Sequence, residues 1–86
     1  MNKTEYSTSS LPLAGFLLCC GVPLVAVHKD KHKNNKVFVF ERTDGLDDLL
    51  ELYFKKMGRV EPESFFFAIK SLKARLYDFD DGDGND

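Results

Sequence analysis

The chain has no tryptophan, only two cysteines and three prolines, and six glycines that are almost all isolated from one another. These scarcities exclude whole classes of chemistry. A phosphate-cradling loop needs glycines clustered at fixed offsets. Here only Gly82 and Gly84 stand close together, in an acidic stretch that would repel a phosphate. Cys19 and Cys20 are adjacent, where a disulfide is strained, and two soft ligands are too few for a structural metal site. Free, buried thiols are therefore expected, as suits a reducing compartment.

Long hydrophobic runs are scarce as well. Leu11–Val27 is seventeen residues without a charge, but Pro12, Gly15, Gly21 and Pro23 interrupt it. A spanning helix wants about 20 predominantly apolar residues, so no membrane role is expected. A secretory signal would want a cationic start and a small-residue cleavage site. Lys3 is offset by Glu5, and Leu18 precedes Cys19. The run reads as a buried helix followed by a buried strand.

Charge of one sign is also limited. The net charge is −2, yet residues 78–86 hold five aspartates and no base, which leaves residues 1–77 at +3. That bias is too weak to mark a nucleic-acid-binding surface by itself. No nucleophile–base pairing and no paired buried carboxylates can be argued, so no enzyme and no cofactor are expected.

What is present is enough apolar material for one core, 43% hydrophobic residues with eight Phe and three Tyr in 86 positions. The expected class is α+β, a β-hairpin packed by three helices in the order helix-strand-strand-helix-helix. Residues 1–8 read as a flexible N-terminus, 9–77 as a single domain and 78–86 as a disordered acidic tail. Ser9 or Ser10 caps the first helix, Pro12 sits in its first turn and Gly21 lies past its end. Its inward face is expected to be Ala14, Leu17, Leu18 and one cysteine.

Leu24–Val27 and Val37–Phe40 read as strands around a lysine-rich turn in which Asn34 and Asn35 tolerate left-handed backbone. Neither strand alternates cleanly, so both are expected to be covered on both faces. Thr43 or Asp44 then caps a second helix whose apolar stripe is Leu46, Leu49, Leu50, Tyr53, Phe54 and Met57, with Gly58 as its stop. Glu51 and Lys55 are spaced as an i,i+4 pair. A third helix starts at Pro62, with Phe65, Ala68, Ile69, Leu72 and Leu76 on its core face.

The segment Lys36–Glu41 (Lys-Val-Phe-Val-Phe-Glu) and the run Lys70-Ser71-Leu72-Lys73-Ala74-Arg75-Leu76-Tyr77 carry a resemblance. With the capped second helix and Arg59–Pro62, they make residues 9–77 resemble a family of small domains of unknown function found in bacteria and their phages. The resemblance implies a cytoplasmic location in a bacterial host and a phage- or mobile-element association. It implies no activity.

Four features compete for function. His28 and His32 flank the lysine-rich turn without convergent ligands and read as solvated loop residues. Lys29, Lys31, Lys33 and Lys36 form the densest positive patch, either a phosphate-contacting finger or a solvated turn that discourages edge association. The tail from Asp78 hints at a calcium loop, but no frame supplies all its ligands, and a solubilising tail is expected.

The last helix is the most telling. Phe66, Lys70, Lys73 and Tyr77 fall at i, i+4, i+7 and i+11, and Phe67 points to a third side. The stripe could receive a protein partner or stack a base and hold phosphates. In the blander alternative, Phe66 and Tyr77 close the core edge beneath lysine stems. The leading expectation is a non-enzymatic protein-interaction module binding a host or phage protein through Phe66, Phe67, Lys70, Lys73 and Tyr77. The alternative is a small nucleic-acid-binding accessory protein using Lys29, Lys31, Lys33, Lys36, Lys70, Lys73 and Arg75. A homodimer is compatible with either.

Overall fold

A computed structural model describes residues 4–30 and 35–84; of residues 30, 35 and 77–84 it describes the backbone alone. The elements are β1 (Glu5–Thr8), α1 (Leu11–Cys19), β2 (Leu24–Asp30), β3 (Asn35–Glu41), α2 (Leu46–Phe54) and α3 (Pro62–Gly84). The α+β class holds, with three helices and one antiparallel sheet in the order β1-β3-β2. The order of elements needs one correction, because a strand precedes the first helix.

That strand lies in the segment expected to be flexible. Its short polar run, Glu-Tyr-Ser-Thr, hides an alternation in which Tyr6 and Thr8 are half-buried and Glu5 and Ser7 exposed. Tyr6 pairs with Phe40 and Thr8 with Phe38, so tertiary pairing supplies what local hydrophobicity does not. Arg42 fastens the start of β1, its N–H donating to the Thr4 carbonyl at 2.8 Å and its guanidinium 5.8 Å from the Tyr6 ring centre.

The hairpin forms as expected but is longer, with Lys29 opposite Lys36, Val27 opposite Phe38 and an irregularity between Leu24 and Ala26. Lys31, His32, Lys33 and Asn34 lie outside the described residues. Phe38 and Phe40 are fully buried on the face that meets the helices, within one cluster with Leu17, Leu46 and Leu72. Val39, next to both in sequence, belongs to the other face, opposite Ser7 and Ala26. It is 6% exposed and stands outside that cluster.

The Ser10 hydroxyl caps α1, accepting from the Leu13 N–H at 3.2 Å. The helix closes with the paired bonds of a Schellman motif, Val22 N–H to Leu17 carbonyl and Gly21 N–H to Leu18 carbonyl, both 3.1 Å. Gly21 takes φ +88°, the left-handed geometry that this end needs. The buried side of α1 is wider than expected: Leu13 through Leu17 are all buried, whereas Leu18 and Cys19 are half-buried and Cys20 is exposed. Both thiols are free. Gly15 lets α3 come close, since a Cβ there would lie 2.6 Å from Ile69 Cδ1 and 3.1 Å from Phe65 Cε1.

Helix α2 departs from expectation at both ends. Its cap is Gly45, without a side-chain hydrogen bond, rather than Thr43 or Asp44. At the other end Lys56, not Gly58, adopts the left-handed conformation (φ 62°). Met57 N–H donates to the Leu52 carbonyl and Lys56 N–H to that of Tyr53, again the Schellman pair. Ending at Phe54 removes the last turn of the expected stripe. Leu46 is buried and Leu49, Leu50 and Tyr53 half-buried, but Phe54 and Met57 are exposed. The Glu51–Lys55 ion pair forms at 2.9 Å.

Helix α3 opens on Glu61 and Pro62. One Glu61 carboxylate oxygen accepts from the Ser64 N–H (2.8 Å) and hydroxyl (2.9 Å), the other from the Glu63 N–H (3.1 Å). Ala68 and Leu72 are buried and Phe65, Ile69 and Leu76 half-buried, the expected core face. The backbone of α3 continues through the acidic segment to Gly84.

Candidate interaction surface

Because α3 packs on α1 through residues spaced at three and four, its opposite side carries what the core does not use. Phe66 is 57% and Phe67 60% exposed, and their ring centres lie 5.9 Å apart at a tilt of 59°. The Lys70 Nζ sits 5.4 Å from the centre of the Phe66 ring, within cation–π range. Lys73 lies one turn further along and is exposed. Phe66 therefore does not close the core edge. It forms a solvent-facing platform with Lys70 over it.

The structure thus brings Phe66, Phe67, Lys70 and Lys73 onto one face. Arg75 is exposed but falls elsewhere on the helix, beyond the lysines. Lys29 and Lys36 stand apart on the sheet as cross-strand partners, each half-buried. Lys31, Lys33 and the Tyr77 side chain lie outside the described residues, as do the side chains of the acidic segment from Asp78.

A second apolar region was hidden by the assumption of a longer α2. Leu52, Phe54 and Met57 are 40%, 65% and 60% exposed. Phe54 rests edge-on against Tyr53, with ring centres 5.3 Å apart. Tyr53 in turn lies 5.6 Å from Phe16. Phe16, Tyr53, Lys56, Gly58, Val60 and Phe65 line an open groove of about 290 Å³.

Partial burial lifts the Cys19 thiol above its ordinary range, and the nearby Glu61 charge adds to the shift. Cys20 is raised in the same direction by desolvation and then by Cys19. Both are protonated at neutral pH and are poor nucleophiles. Glu61 is held below the ordinary carboxylate range, chiefly by the backbone N–H groups of Ser64 and Glu63 and then by the Ser64 hydroxyl. That is the signature of a helix cap. Among the described residues, no three His, Cys, Asp or Glu side chains gather as metal ligands. No helix there is long and apolar enough to cross a membrane.

The family model Domain of unknown function (DUF5659) matches residues 3–78. The chain belongs to this family. The matched span takes in β1, which the resemblance over residues 9–77 left out, and reaches just beyond Leu76 on the α3 core face. The family match therefore covers β1, all of the sheet, α1, α2 and most of α3. No curated protein and no solved structure matches the chain.

Proposed function

We propose that this DUF5659 domain is a non-enzymatic protein-interaction module, associated with a phage or mobile element and acting in the bacterial cytoplasm, that binds a host or phage protein through the outer face of α3. The observation that carries the reading is the pair of adjacent, solvent-facing phenylalanines with Lys70 stacked on one of them. Large exposed aromatics are enriched where proteins meet. Their exposure costs solubility.

The test is capture of partners by the tagged full chain and by its Lys70→Glu/Lys73→Glu variant. The variant should keep its circular dichroism spectrum and lose the specific partner. Equal capture by both proteins would remove α3 as the binding face.

A nucleic-acid-binding role is the second reading. It is favoured by the cross-strand Lys29–Lys36 pair together with Lys70, Lys73 and Arg75. Fluorescence anisotropy with short single- and double-stranded oligonucleotides at two salt concentrations separates the readings. Phosphate-driven binding must weaken steeply with salt. No binding at low salt would remove this alternative.

A further inference from the structure

The outer face of α3 has an order along its length as well as a composition. Glu63 stands in the first turn, Phe66 and Phe67 in the second, then Lys70 and Lys73. At 3.6 residues per turn these five positions fall within an arc of about 120°, away from buried Ala68 and Leu72. All five are exposed. Acid lies at one end, base at the other, and two aromatic rings between them.

A surface arranged in that way is complementary to itself when reversed. If a second α3 lies antiparallel, with the two-fold axis level with residue 68, Glu63 of each helix comes level with Lys73 of the other. Phe66 of each comes level with Lys70 of the other. Glu63 and Lys73 are about 15 Å apart along one helix axis at 1.5 Å per residue, so a single copy cannot pair them. Arg42–Asp47 and Lys55–Glu51 are ion pairs among the described residues. Neither Glu63 nor Lys73 takes part in one among the described residues.

We propose that the protein received by the outer face of α3 is a second copy of this chain, docked antiparallel through Glu63, Phe66, Phe67, Lys70 and Lys73. The inference rests on the reading of α3 as a protein-binding face and names its occupant. Two-fold symmetry makes every contact occur twice. The four phenylalanine rings then gather around the axis, each Lys70 faces an aromatic ring of the partner, and the two Glu63–Lys73 pairs close the ends. An unrelated acidic protein would satisfy the lysines but would set its charge against Glu63. The reversed copy satisfies both ends.

The test is sedimentation equilibrium of the full chain over a wide concentration range, with Glu63→Lys, Lys73→Glu and the double variant. Each single reversal creates two like-charge contacts and should weaken the dimer about tenfold or more, whereas the double variant restores opposite charges and should recover most of that loss. Circular dichroism checks that all four proteins fold alike. A wild-type chain that stays monomeric throughout overturns the proposal, as does a dimer indifferent to the single reversals or not rescued by the double one. The two failures are separable. A monomeric chain that still loses its partner on Lys70→Glu/Lys73→Glu substitution leaves α3 as a docking face with a foreign occupant.

Discussion

Lys56 and Gly58 share the work that a single glycine would be expected to do at the end of α2. Lys56 takes the left-handed position, which for a residue with a Cβ costs about 1–2 kcal/mol. Gly58 is needed for space, because a Cβ there would stand 2.7 Å from Cε1 and 2.9 Å from Cζ of the buried Phe16 ring. A Cβ fits there only if the ring shifts. Gly58→Ala should therefore destabilise the fold by about 1–3 kcal/mol, while Lys56→Gly should stabilise it by up to about 1 kcal/mol. Urea midpoints of the two variants check this, and shifts of the same sign would show that the roles are misassigned.

Glu61 gives a pH-dependent counterpart. Its folded pKa lies below the ordinary 4.5, so its contribution is complete above that value and is lost as pH falls through the folded pKa. Glu61→Ala should lower the melting temperature at neutral pH, and the gap from wild type should close as pH falls through the folded pKa. A gap that persists in acid would mean that the carboxylate charge is not what holds the first turn.

The elements were legible in proportion to how locally they are determined. Ser10, Pro12 and Gly21 mark α1 because capping, first-turn proline and left-handed termination are decided by residues within a few positions. The core face of α3 follows from its period alone. Strand β1 did not show, because nothing in Glu5–Thr8 is strongly apolar and its role comes from partners thirty or more residues away. The end of α2 was misread for the opposite reason: a good local signal, Gly58, was serving a packing contact with Phe16. The interaction face was legible through Phe66, Phe67, Lys70 and Lys73, since three consecutive phenylalanines cannot all face one core. The exposed ridge of Leu52, Phe54 and Met57 was not, because it depends on where α2 stops.

Seen as a whole, the molecule lays three helices against a sheet whose middle strand comes from the second half of a hairpin and whose outer neighbour comes from the N-terminus. The order β1-β3-β2 gives β1 a protective duty out of proportion to its four residues. Val37-Phe38-Val39-Phe40 is the kind of segment that seeds fibrils when its edge is bare: β-branched and aromatic, uncharged and free of proline. β1 is the cover on that edge. A protease nick near Ser9, or a preparation that trims the first eight residues, would leave the helices in place and uncap the most aggregation-prone strand of the chain. A protein beginning at Ser9 should accordingly scatter light and bind thioflavin T on gentle warming under conditions where the full chain stays clear. If it stays equally clear, β1 is a dispensable ornament of the sheet. The practical handling of this domain, from tag placement to storage, is thus decided at its N-terminal end.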